Sequence, residues 1–128
     1  MKTKILRIVV VVILMILTAY AIIFNNTNAL IQEVENVMYG NVDKSVTQDS
    51  PLKVYNRKGE FNTTHTEVEL TRLFVIHNFF DGYMWVKYSY EDFDEQDRRT
   101  YGSWNIVSKW KIHKENGKWK IVEIIEKP

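Results

Sequence analysis

Three groups of residues in this 128-residue chain could do chemistry. The first centres on His77, which the hydrophobic pattern sets on an apolar strand face with Tyr88 and Tyr90. A neutral histidine in such a cleft can act as a general base, so these three residues form a candidate pocket. A core histidine bonded to tyrosine or backbone explains the same pattern and is the commoner case. Asp81 falls at the tip of the predicted hairpin, too far along the strand to orient the ring.

The second group is acidic: Glu91, Asp92, Asp94, Glu95 and Asp97 crowd one short stretch. Calcium takes oxygen ligands of this kind, but the stretch has no glycine at its bend and fits a solvated loop better. His65, His77 and His113 are far apart in sequence, with no pair at helical metal spacing. No metal or other cofactor is expected.

The third group is basic. Lys109, Lys111, Lys118 and Lys120, with Lys114 among them, load the last hairpin with positive charge. Such a surface can meet an acidic partner, a wall polymer or lipid head groups. Lysines that protect a strand edge give the same pattern. Trp85, Trp104, Trp110 and Trp119 can stack sugar or peptide, but four tryptophans in so small a domain are more often core. The chain has no cysteine, which excludes disulfides, thiol nucleophiles and cysteine metal sites. It also has no P-loop, dinucleotide fingerprint or Ser–His–Asp order.

These groups need elements to hold them. Ile5 to Phe24 is an apolar run interrupted only by Arg7. As a helix it reaches roughly 30 Å, the thickness of a bilayer's hydrocarbon core. Lys2, Lys4 and Arg7 precede the run, and the first basic residue after it is Lys44, with Glu33 and Glu35 coming sooner. That asymmetry puts the amino terminus inside and the rest outside. Ala19-Tyr20-Ala21 also has the form that signal peptidase accepts, and cleavage after Ala21 would give a secreted product. The run continues through Ile22, Ile23 and Phe24, which favours an uncleaved anchor. Residues 1–24 are therefore read as a single-pass membrane anchor and 25–128 as one extracytoplasmic domain. Three of the 17 basic residues precede Ile8 and all 16 acidic ones follow Phe24, so the domain is close to neutral and nucleic acid is not an expected partner.

Leu30, Ile31, Val34, Val37 and Met38 fall on one face of a predicted helix that Thr27 or Asn28 can cap and Gly40 can stop. Asn41 to Ser50 reads as a loop, Leu52 to Tyr55 as an edge strand, and Asn56 to Gly59 as a turn. Asp81-Gly82 predicts a two-residue hairpin turn pairing Phe79 with Met84, His77 with Val86, Val75 with Tyr88 and Leu73 with Tyr90. That puts all eight on one face and Arg72 on the other. Glu91 to Arg99 follows as a charged loop. A third strand, about Thr100 to Lys114, alternates Trp104, Ile106, Trp110 and Ile112. Asn116-Gly117 turns into a last strand from Trp119 to Ile125, whose register stays open between Ile112 with Ile121 and Trp110 with Val122. The fold class is α+β: a membrane helix, then one amphipathic helix on a curved antiparallel sheet of about four strands.

Tyr88-Ser89-Tyr90, Trp104, Trp110-Lys111-Ile112 and Glu115 to Ile121 resemble the closing strands of cystatin-like and nuclear-transport-factor-2-like domains. The resemblance covers about the last third of the chain. It implies a sheet wrapped around a helix, of the kind found in small secreted or membrane-anchored bacterial proteins. The absence of cysteine and the high Lys, Ile and Asn usage point the same way. Such folds carry enzymes, ligand carriers and scaffolds alike. The leading expectation is a membrane-tethered, non-catalytic binding or assembly module with an unidentified protein partner. The alternatives are a ligand-binding or enzymatic pocket around His77, and an inhibitor or immunity-type protein whose tips at Asn56–Gly59 and Asp81–Gly82 would lie at one end.

Overall fold

The computed structural model describes residues 1–126. It opens with helix α1, Lys2–Asn25, which is long and apolar enough to cross a membrane and buries none of its residues. Helix α2, Asn28–Met38, follows after a joint at Asn26 and Thr27. Its buried residues are Leu30, Val34, Val37 and Met38, the stripe read from the sequence. A short helix α3 (Lys44–Thr47) and two 3-10 turns (Pro51–Tyr55 and Glu60–Asn62) lead into the sheet. Strands β1 (His65–His77), β2 (Asp81–Phe93), β3 (Arg99–Glu115) and β4 (Lys118–Glu126) form an open antiparallel meander in chain order. The α+β class expected from the sequence is the one observed.

The core lies between α2 and one sheet face. Val34, Val75, Met84, Val86 and Trp110 are completely buried there, with Ile112, Ile121 and Trp119 beside them. Each large side chain removed from water in this layer contributes on the order of 1.5–3 kcal/mol.

The first hairpin does not turn at Asp81-Gly82. Its turn is Asn78 to Asp81, and His77 pairs with Gly82, Val75 with Met84. Asn78 makes this turn. Its side-chain oxygen accepts from the backbone N–H groups of Phe80 (3.0 Å) and Asp81 (2.9 Å), and Phe79 takes φ 69. An asparagine that bonds the backbone two or three residues on can replace a glycine turn. Gly82 serves a different end: a Cβ there would overlap the Ile76 carbonyl and the His77 backbone. The slip moves the pairing by an even number of residues, so Val75, His77, Met84, Val86 and Tyr88 still share the inner face. Leu73 and Phe79 do not join them and are exposed.

Leu73 is a bulge, because Arg72 pairs with Val86 and Phe74 with Trp85. One extra residue reverses the alternation. Arg72, expected outside, therefore turns inward. A second bulge between Ile106 and Ser103 carries Asn105 at φ 56 and moves Trp104 to the outer face, where it is 52% exposed. The four tryptophans thus divide, with Trp110 and Trp119 in the core. Leu52 to Tyr55 is a 3-10 turn rather than an edge strand, started by Ser50 accepting from the Leu52 N–H and by Pro51 at its first position. At the last hairpin Ile112 pairs with Ile121 around a two-residue Asn116-Gly117 turn, both at positive φ.

Candidate functional site

Tyr88 and Tyr90 line a cavity of about 220 Å³ at the far end of α2, and His77 does not. β2 brings the two tyrosines to its wall. Met38 of α2, Ile106 of β3 and Val54 supply apolar surface, and Tyr55, Arg57 and Glu126 supply polar groups. The 3-10 turn at Pro51–Tyr55 is what swings Tyr55 over the sheet. Its ring meets Tyr88 edge-on at 5.3 Å.

The hydroxyls converge on one carboxylate. Tyr88 Oη donates to Glu126 Oε1 at 2.6 Å and Tyr55 Oη donates to the same oxygen at 3.1 Å. Trp110 Nε1 donates to Tyr55 Oη at 2.9 Å, and Ser108 Oγ lies 3.3 Å from it. Burial pushes both phenols well above the ordinary tyrosine value, and Glu126 opposes a second negative charge beside it. Both therefore act as neutral hydrogen-bond donors and not as bases.

Arg57 forms the other wall. Its Nε bonds Asp92 Oδ2 at 2.6 Å, and Thr66 Oγ1 donates to Asp92 Oδ1 at 2.8 Å. The guanidinium lies over the rings of Tyr90 and Tyr101 at 5.0 and 4.8 Å, a favourable cation–π arrangement. Its Nη2 is buried with no hydrogen-bond partner among the described residues. Asp92 is completely buried, which corrects its reading as part of a solvated acidic loop. β2 runs on through Phe93, and the loop proper is Asp94 to Arg98. No group of three or more His, Asp or Glu is placed to hold a metal ion among the described residues.

His77 sits at the opposite end of the sheet. Its Nε2 donates to the Ile23 carbonyl at 2.9 Å and its Nδ1 accepts from the Phe79 N–H at 3.0 Å. Trp119 and Phe79 pack on the ring, centroids 4.6 and 4.9 Å away. Both ring nitrogens are occupied, and burial, helped by Lys114, holds the ring below the ordinary histidine value. It is a neutral side chain that ties β1 to the last turn of α1.

The basic candidates are spread over the outer sheet face. Lys109 Nζ lies 4.4 Å from the Tyr83 ring centroid and 5.2 Å from that of Trp85. Lys120 Nζ is 3.4 Å from Glu115, while Lys111 and Lys118 point to solvent.

Reading from the sequence missed Tyr55, Arg57, Asp92 and Glu126. Arg57 was hidden in a turn signal and Asp92 in a run of acids, and only pairing across 35 residues reveals them. It also missed Arg72, which donates to Phe24 O (2.9 Å), Thr27 Oγ1 (2.7 Å) and Asn28 Oδ1 (2.6 Å). That cation meets the carbonyl end of α1, where the helix dipole is negative, and clamps the joint with α2. Comparison with known proteins finds no matching family model, no matching curated protein and no matching solved structure.

Proposed function

We propose that this protein is a membrane-tethered, extracytoplasmic binding or assembly module that works without catalysis. α1 crosses the membrane once, with Lys2, Lys4 and Arg7 inside. The observation that carries this reading is the junction of α1 with the domain. Tyr20 stacks on Phe74 at 5.6 Å, Val75 N–H reaches Tyr20 Oη at 3.4 Å, and His77 bonds Ile23. An apolar helix with no buried residue is thus fixed to the fold by its last two turns, which leaves the rest of its length free to sit in lipid. Cleavage after Ala21 would remove Tyr20 and its contacts, which favours retention over processing.

The absence of catalysis is supported by chemistry rather than by fold. The cavity's phenols are neutral donors to Glu126, and His77 has no free nitrogen. The resemblance to cystatin-like and nuclear-transport-factor-2-like domains is retained as a proposal, since one helix over a four-stranded meander suits it. For an inhibitor, the tips at Asn56–Gly59 and Asp81–Gly82 would have to lie together. Arg57 bonds Asp92 at one end of β2, and Asp81 begins the other, so this reading has less support.

A second reading has one specific observation behind it. Arg57 Nη2, without a hydrogen-bond partner among the described residues and beside the Tyr88–Tyr90 cavity, suits a small carboxylate ligand. Affinity capture of the full chain from detergent-solubilised membranes, with native mass spectrometry of the same preparation, separates the two. The module reading expects a protein partner and an empty cavity. A small molecule bound in the cavity with no protein partner would replace it with the ligand reading.

A further inference from the structure

We infer that the end of the domain made by the Asn78–Asp81 and Asn116-Gly117 turns rests on the outer surface of the bilayer, with Phe79 and Phe80 in the interfacial layer. The inference rests on α1 being a membrane span. The first support is position. Arg72 contacts the chain at Phe24, Thr27 and Asn28, whereas Phe74, Val75 and His77 contact it at Tyr20 and Ile23. The stretch of β1 from Phe74 to His77 is therefore held against the last two turns of α1, where the span leaves the lipid, and the Asn78–Asp81 turn follows directly after His77. The Lys114 N–H donates to the Phe80 carbonyl at 2.8 Å, and Trp119 Nε1 to Asn26 Oδ1 at 2.8 Å. These bonds hold the second turn beside the first, at the carboxyl end of α1.

The second support is composition. Phe80 is 68% exposed and Phe79 42% exposed, the latter at a positive φ that a bulky residue seldom adopts. Phe74 and Ile76 on the adjoining edge strand are exposed too. Two phenylalanines at a strained turn tip are poorly suited to water and well suited to the membrane interface, where aromatic rings collect beside residues such as Tyr20.

The third support is charge. Lys111, Lys114, Lys118 and Lys120 surround this end. Its acids are Asp81, paired with His113 at 2.7 Å, Glu115, paired with Lys120, and Glu123, across the ladder from Lys111, three against the four lysines. The surplus is positive, as contact with anionic lipid head groups favours. Covalent continuity with α1 selects lipid over a soluble partner, since no other surface is held so near this end.

The chain has no cysteine, so each introduced one is unique. Nitroxide labels at Phe80→Cys, Asp97→Cys and Leu14→Cys, in the full chain reconstituted into phosphatidylcholine–phosphatidylglycerol vesicles, report depth through collisions with oxygen and with a water-soluble nickel chelate. The Phe80 side chain is exposed, so its replacement leaves the packing intact. The label at 80 is expected roughly 5–10 Å inside the head-group boundary, with 14 deep in lipid and 97 in water. If 80 matches 97 while 14 reads as lipid, the docking is wrong and the span stands. If 14 reads as water, both fall.

Discussion

The two ends of the same four-stranded sheet carry opposite chemistry. Next to α1, the sheet ends in exposed phenylalanines and lysines, and its one buried histidine is neutral. At the far end acids outnumber bases, with Glu67, Glu69, Glu91, Asp94, Glu95 and Asp97 against Arg98 and Arg99, and inside that rim lies a buried Arg57–Asp92 pair. Neither end is a local feature of the sequence. Each brings together residues 30 or more positions apart, as Arg57–Asp92 and His113–Asp81 do. The arrangement is a domain polarised along its strands, with a lipid-compatible base, and a cavity and acidic rim turned away from it.

The largest effect should come from the far end. Asp92→Ala leaves the Arg57 charge with no counter-ion in a buried setting, and removing one partner of such a pair costs about 3–5 kcal/mol. Urea unfolding of the detergent-solubilised protein, followed by tryptophan fluorescence, is expected to show that loss. A shift below 1 kcal/mol, on the order of an exposed pair, would mean the pair is solvated and the two ends are less distinct than described. Tyr88→Phe should cost less, about 1.5 kcal/mol, by removing one donor to Glu126 while Tyr55 still serves it. The same titration reads it, and a neutral result would remove the hydroxyl network from the account of the cavity.

The smallest effect belongs to the base. His77 is held below the ordinary histidine value of 6.5, first by burial and then by Lys114. In the window between its folded value and 6.5 the unfolded chain binds more protons than the folded one. Stability is therefore full above 6.5 and declines as pH falls through that window. His77→Gln keeps a donor for the Ile23 carbonyl and should flatten this acid decline. Equal pH profiles for the two proteins would show that His77 ionises freely.

Much of this polarity could be read only in part beforehand. The apolar run, the stripe of α2 and the inner face of β2 follow from periodicity, because 3.6-residue and 2-residue repeats leave direct marks in sequence. The bulges at Leu73 and Asn105 leave almost none. Each adds a single residue, yet each reverses the faces beyond it and so sent Arg72 inward and Trp104 outward. The Asp81-Gly82 pair was misleading because glycine serves close backbone approach as well as turns, and Asn78 had the side chain to make the turn instead. Of the candidate pocket, Tyr88 and Tyr90 share a cavity while His77 anchors the other end. The cavity's charged members were invisible because their partners are remote in sequence.

All of this depends on α1 holding the domain outside the membrane. The most direct test is protease added to intact, wall-stripped cells expressing the full chain with an epitope at each terminus. With the domain outside, the segment from Trp104 to Trp119 is digested, the amino-terminal epitope is protected, and the protein stays in the membrane pellet after alkaline carbonate. A domain protected from protease would contradict the orientation, and a soluble product beginning at Ile22 would contradict the anchor.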